Sequence, residues 1–295
     1  MRRSYPLALI ALVLLTAVAV QLVGVRSATA LSMSHSAQPQ EQAAAGKVQA
    51  RFFYKTIVSG YKYTNLRLVI LRCGIVRLDQ RIPPWPGRAS YGVQPGGYGA
   101  HRTLTVRDLD GDGEPEVSLL LYWGGAHCCS WSRVYRFVPS TKTYKVSLHF
   151  WADDSDPTFR DLNRDGKPEI VSADTRLQGG PFASYASTYF PIQIWSYRGG
   201  HFINVTRRFP AQIKADAARA LASFNRSDNT DPRGAAAGWA ADQALLGHAK
   251  RARARLDKWA QAGELRDRSG GFAVAPTGTA FVTALWKYLH GLGYV

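Results

Sequence analysis

Cysteine is scarce, at three in 295 residues, too few for a small scaffold held together by disulfides. Acidic side chains are also short, 21 against 37 basic ones, which leaves a net charge of +16. That imbalance permits an anionic partner without naming one. Long apolar runs are missing except for one near the N-terminus, so a polytopic membrane protein is excluded. Charged residues make up 20% and hydrophobic residues 46%, ordinary values that exclude wholesale disorder. A chain of this length can bury a core without covalent staples, in one large domain or two modest ones.

The apolar run lies in residues 1–30. Met1-Arg2-Arg3 is a short basic start, Leu7 to Val20 is almost wholly apolar, and Ala28-Thr29-Ala30 offers the small residues of a processing site. This pattern predicts a secretory signal peptide cleaved after Ala30. Read on to Val25, the same stretch gives the alternative of an uncleaved N-terminal membrane anchor. After cleavage the chain is not expected to be an integral membrane protein. Residues 31–46 are rich in Ser, Gln and Ala without apolar periodicity, and read as a flexible lead-in.

From 47 to 206 the strand signals dominate. Leu66–Leu71 is a β-rich run with Gly74–Leu78 as its partner. Arg133–Val138 and Thr143–Leu148 flank a turn-like Pro139–Lys142, and Pro191–Arg198 and His201–Val205 flank Gly199-Gly200. Two glycines between alternating apolar runs are a clear hairpin signal. Pro83–Gly99 reads as a long surface loop. From 207 to 295 the spacing changes to three and four, predicting helices over Ala211–Phe224, Ala235–Gln261 with a break near Gly247, and Thr279–Leu289. The fold class expected is mainly β, with a helical C-terminal subdomain.

The strongest motif occurs twice. Asp108-Leu-Asp110-Gly-Asp112-Gly113-Glu114-Pro-Glu116 and Asp161-Leu-Asn163-Arg-Asp165-Gly166-Lys167-Pro-Glu169 share oxygen-bearing side chains at positions 1, 3 and 5, glycine at 6 and glutamate at 9. Calcium takes six to eight oxygens at about 2.3–2.6 Å, and alternate residues of a tight loop can converge on one such ion. Carboxylates crowded this closely repel without a cation. An EF-hand is excluded because position 12, which needs a bidentate glutamate, is Leu119 or Ser172. Four carboxylates in the first loop against three in the second predict two Ca²⁺ sites, the first tighter.

These loops, followed by a strand, resemble the calcium loops of FG-GAP and VCBS repeats, the family of integrin α-chain propellers and many secreted bacterial proteins. The stretch "IQIWSYRGGHFINVT" resembles the family's closing hairpin. The resemblance implies antiparallel blades, calcium between strands, and an adhesion or ligand-binding role. It implies Asp108, Asp110, Asp112, Glu116, Asp161, Asn163, Asp165 and Glu169 as side-chain ligands, with backbone oxygens from Glu114 and Lys167. The likeness covers only about Leu104 to Thr206. The 53 residues from Asp108 to Asp161 suit one blade, so 47–206 holds about three units. A closed propeller needs four or more. A partial or open propeller-like repeat arc is therefore expected.

Among the cysteines, a bond from Cys73 to Cys128 or Cys129 is expected of an exported chain, with a vicinal Cys128–Cys129 bridge as the sharper alternative. His127 beside the pair would give at most an incomplete soft-metal site. No G-x-S-x-G or H-E-x-x-H frame surrounds any histidine, or Ser130. Asp153, Asp154 and Asp156 read equally as sugar-hydrolysis carboxylates and as a solvated loop. Trp85, Trp123, Trp131, Trp151 and Trp195 are candidates for core or for sugar stacking. Lys250–Arg255 is the densest basic run, suited to an anionic envelope polymer or to a solvated helix, with no specific nucleic-acid signal. The reading that follows is a secreted calcium-binding module for an extracellular protein or polysaccharide, without catalysis. An exported hydrolase of cell-wall glycans or esters is the alternative.

Overall fold

The computed structural model describes residues 38–57, 62–87, 92–97, 102–124, 129–152, 155–178, 183, 185–226, 231–267 and 276–295. The predicted signal peptide lies outside the described residues. Among the described residues, thirteen strands fall into three antiparallel sheets, followed by four α-helices, and the sheets do not close into a barrel.

The first sheet is a meander of β1 (Glu41–Ala45), β2 (Val48–Ile57), β3 (Lys62–Arg72) and β4 (Ile75–Arg81), hydrogen-bonded in that order. In the second, β5 (Gln94–Pro95) and β6 (Leu104–Arg107) both pair with β7 (Glu116–Tyr122), which continues to β8 (Ser130–Val138) and β9 (Thr143–Ala152). The third runs β10 (Thr158–Arg160), β11 (Glu169–Ala173), β12 (Ile192–Arg198), β13 (His201–Asn204). The Gly199-Gly200 hairpin forms as expected, with φ of +55° and +92° at its two turn residues, a backbone that glycine adopts without a Cβ penalty. The expected lead-in is corrected in part. Glu41–Ala45 is a strand, because its small alternating alanines pair in register with Val48–Phe52 and pack on the core of the first sheet. Within the expected surface loop, Gln94–Pro95 pairs with Leu121 and Tyr122.

Alternation along the strands builds the layers. Val48, Ala50, Phe52, Leu68 and Ile70 of the first sheet share a core with Val117, Leu119, Leu121, Trp131 and Tyr135 of the second. Leu120, Val134 and Trp151, on the other side of the second sheet, pack with Ile170 and Tyr197 of the third. Strand β7 is thus buried on both faces, and reads as a nearly continuous apolar run for that reason. Ile192, Ile194 and Val205 of the third sheet then meet Phe209 and Ile213 of the helical region.

The helices are α1 (Pro210–Phe224), α2 (Arg233–Leu245), α3 (Ala249–Gln261) and α4 (Gly278–Gly291). Pro210 occupies the first turn of α1, where its missing N–H costs nothing. Alanines of α2 pack with Ala217, Leu256, Phe281 and Leu285 in a separate helical core. Small side chains there let the helix backbones approach closely.

Candidate metal centre

Each acidic loop closes a hairpin, β6 to β7 and β10 to β11, with Arg107 opposite Glu116 and Arg160 opposite Glu169. The local wiring is the same twice. The Gly113 N–H donates to Asp108 at 2.9 Å, and the Gly166 N–H donates to Asp161 at 2.9 Å. The residue after each glycine donates to the position-5 aspartate, at 2.8 Å in the first loop and 2.9 Å in the second. Leu109 and Leu162 each donate to the closing glutamate at 2.9 Å. Position 6 is left-handed in both, with φ of +81° at Gly113 and +84° at Gly166, which is why glycine stands there. The carboxylates thus shape the turns through their own backbone bonds, as short acidic side chains commonly do.

The loops differ in what is left over. In the first, Asp108, Asp110 and Glu116 each bring one oxygen within 4.8 Å of the others. Among the described residues the second loop forms no such acidic group; its neutral Asn163 instead donates to Asp165 at 3.0 Å. Glu116 is 1% exposed. Its Oε2 accepts from Leu109, but its Oε1 is buried with no hydrogen-bond partner. Burial, together with the negative charges of Asp110, Asp112 and Asp108, pushes Glu116 up to about 8. A buried carboxylate oxygen without a hydrogen-bond partner, grouped with oxygens of two other acids, could supply part of the oxygen shell of a hard divalent cation.

Arg136, on β8, was not legible as part of this site. Its guanidinium bonds Asp110 at 3.1 Å and Asp112 at 2.6 Å, and stands 3.9 Å from Glu116 Oε1. The contact arises from cross-strand neighbourhood alone, so no local motif could have announced it. Arg136 engages two of the acids and leaves the third unsatisfied. Asp110 also accepts from the Gly199 N–H at 3.2 Å, which ties the first loop to the turn between β12 and β13. The stem of Lys167 lies against Gly111, within 2.3 Å of where a Cβ would sit. The two loops are therefore neighbours.

The Glu114 side chain is committed elsewhere. It accepts from Arg72 at 2.9 and 2.8 Å and pairs with Lys47 at 2.8 Å, which holds its carboxyl below the usual range. A contribution from its backbone oxygen would leave that link intact. In the second loop the Lys167 N–H, helped by Asn163, keeps Asp165 low.

Other candidates separate cleanly. Cys73 is free and exposed, which overturns its expected bond to the Cys128–Cys129 pair. It sits in the tight turn between β3 and β4, with φ +52°, a position governed by hairpin geometry. Cys129 is buried and disulfide-bonded; Cys128, His127, His101, Asp153 and Asp154 lie outside the described residues. His149 is ringed by Trp151, Trp195 and Phe202 at 4.1, 4.4 and 4.5 Å between centroids, and burial pushes it down to about 4. No serine or cysteine among the described residues hydrogen-bonds it. Ser130 is fully buried.

The basic run forms part of α3, and two of its arginines are engaged internally. Arg255 lies over Trp239 and Trp259 at 5.4 and 5.0 Å, and Arg253 lies over Trp286 at 5.5 Å while bonding Asp257 at 3.4 Å. Trp131 and Trp151 are core, with Trp151 donating to Ser132 at 2.7 Å. Trp85, Trp123 and Trp195 are only partly buried.

No family model matches the chain, and no solved structure matches it. A probable thylakoid lumen protein, sll0997, of Synechocystis sp. (strain ATCC 27184 / PCC 6803 / Kazusa) is 33% identical over 104 residues, 35% of this chain and 30% of that protein. The chain thus spans under a third of the relative's length. Among the described residues no helix is long and apolar enough to cross a membrane.

Proposed function

We propose that this chain is an exported, calcium-binding module of the FG-GAP/VCBS kind, with its three sheets as blades of an open arc. In this reading it binds an extracellular ligand without catalysis. One observation carries the metal assignment: Glu116 Oε1 is buried, unpartnered, and grouped with oxygens of Asp108 and Asp110. Those three residues would hold the first Ca²⁺, with Asp112 and the Glu114 backbone beside them. Asp161, Asn163, Asp165 and Glu169, with the Lys167 backbone, would hold a weaker second ion. The cation would neutralise the crowded carboxylates and fix the two hairpin loops, the first of which touches the β12–β13 turn of the third sheet. Export is supported by the basic-then-apolar N-terminus and by the lumenal description of the Synechocystis relative.

Thermal unfolding of the chain lacking residues 1–30, with calcium titrated in, tests the assignment. Saturation at about 100 times Kd should add about 2.7 kcal/mol. Asp110→Ala should remove most of that gain and Asn163→Ala a smaller part. A melting temperature indifferent to millimolar calcium would sink the metal sites.

A further inference from the structure

A cleft of about 680 Å³ opens beside β9, β11 and β12, within the range of about 300–1,000 Å³ typical of small-molecule sites. Three features of its lining point to one ligand chemistry.

First, it exposes aromatic faces. Phe150 is 41% exposed, flanked by Trp123 at 5.5 Å and Trp85 at 5.6 Å between ring centroids. Phe150, Trp123 and Trp195 all line the cleft. An aromatic group left in water beside a cavity is characteristic of a binding surface.

Second, its charges are already spent. Arg176 turns its fork onto Asp174, with Nε–H donating at 2.8 Å, and the Tyr294 hydroxyl donates to the same carboxylate at 2.7 Å. His149 is neutral above about pH 4 because it is desolvated among rings. Among the described residues lining the cleft, an anionic ligand would find no unpaired cation and a cationic one no unpaired acid.

Third, the remaining polar groups are uncharged, the hydroxyls of Ser172 and Thr175 and the amides of Gln178, Gln193 and Asn204. The Asn204 Oδ1 accepts from the Thr206 N–H and hydroxyl at 3.0 and 2.7 Å, which leaves the amide NH₂ to offer. Gln193 makes no side-chain hydrogen bond with a described residue. Uncharged amides beside aromatic plates match a pyranose ring, which has an apolar C–H face and a rim of hydroxyls. A purely apolar ligand would strand the amides without partners.

We infer that this cleft binds an uncharged glycan, with a sugar ring on the Trp123–Phe150 platform and its hydroxyls on Gln193 and Asn204. The inference deepens the binding-module reading and rests on it for the absence of turnover. The chain lacking residues 1–30 would be titrated by calorimetry and tryptophan fluorescence with cellohexaose, maltohexaose and chitohexaose. At least one should bind with Kd between about 1 μM and 1 mM, unhydrolysed after prolonged incubation. Phe150→Ala and Gln193→Ala should each weaken it about tenfold or more without moving the melting temperature, since both side chains are partly exposed. Binding to none of the three at about 10 mM would overturn the inference. So would undiminished affinity in Phe150→Ala, or cleft-dependent binding of polygalacturonate alone. Release of shorter sugars would sink the non-catalytic reading while leaving the cleft assignment standing. Absence of a calcium effect on melting would remove the metal sites and leave the glycan result untouched.

Discussion

Replacing Asp242 by asparagine is expected to stabilise the protein by about 2–4 kcal/mol at pH 7, raising its melting temperature by about 5–15 °C. Asp242 is fully buried on α2, and as a carboxylate neither of its oxygens has a hydrogen-bond partner. Its neighbour on α1, Asp216, already accepts from the Ile192 N–H at 2.8 Å, the Tyr189 hydroxyl at 3.0 Å and Arg219 at 2.7 Å, which favours its charged form and leaves room for one more donor. Two buried acids in contact cannot both ionise. Burial, then the charge and hydrogen bond of Asp216, push Asp242 from 3.8 up to about 10. It is therefore protonated in the fold and becomes the donor to Asp216.

The direction of the pH effect follows from that elevation. A carboxyl raised in the folded state gives its full stabilisation below its unfolded value near 4. The contribution declines by about 1.4 kcal/mol per pH unit as pH climbs from there toward 10. Asparagine supplies an amide N–H in place of the carboxyl O–H, and does so at every pH. The gain in Asp242→Asn should accordingly vanish near pH 4 and grow toward neutrality. Denaturant unfolding of both proteins from pH 4 to 8 measures it, and parallel curves would refute the protonated pair.

The second large effect is a loss. Gly234→Ala should cost about 2–4 kcal/mol, although alanine is the better helix former by about 1 kcal/mol. A Cβ at Gly234 would lie 1.8 Å from the Ser187 carbonyl oxygen and 2.9 Å from the Thr188 Cα. The obstacle is main chain, which cannot rotate aside. One turn on, a Cβ at Gly238 would meet Tyr189 at 2.5 Å, so residues 187–189 cross α2 along a strip bare of side chains. Nor can the helix tilt away freely. Neighbouring Arg233 is buried and clamped by Asp231 at 2.8 and 2.9 Å and by the Pro276 carbonyl at 3.1 Å. Gly291→Ala in α4, where an added Cβ meets nothing within 4 Å, is the matched control and should be neutral or slightly stabilising. Equal melting temperatures for the two variants would show that the crossing segment yields.

What was legible in the sequence divides by range. The Gly199-Gly200 hairpin, the break near Gly247 between α2 and α3, and the paired acidic turns were all readable because each is dictated by neighbours in the chain. Strand β1 was missed because alanine carries a weak strand signal, and its partner lies beyond a turn at Gly46 and Lys47. Arg136 was invisible in the candidate site because it enters from the adjacent strand. The Cys73 pairing failed because three cysteines specify no connectivity; hairpin geometry places Cys73 on the surface. Arg253 and Arg255 read as part of a basic run on a solvated helix, but Trp286 and Trp239 reach them from α4 and α2, and Trp259 lies one turn further along α3 itself.

The first sheet carries one more consequence. Its face away from the shared core bears Gln49, Arg51, Arg67 and Asp79, with Arg51 bonded to Gln49 at 3.2 Å and Arg67 to Asp79 at 2.6 Å. Stacking another sheet there would desolvate a row of guanidiniums. Val69 and Val76 lie on the same face among these charges, with Val76 53% exposed, so close stacking there is penalised by the guanidiniums even where apolar side chains would favour it.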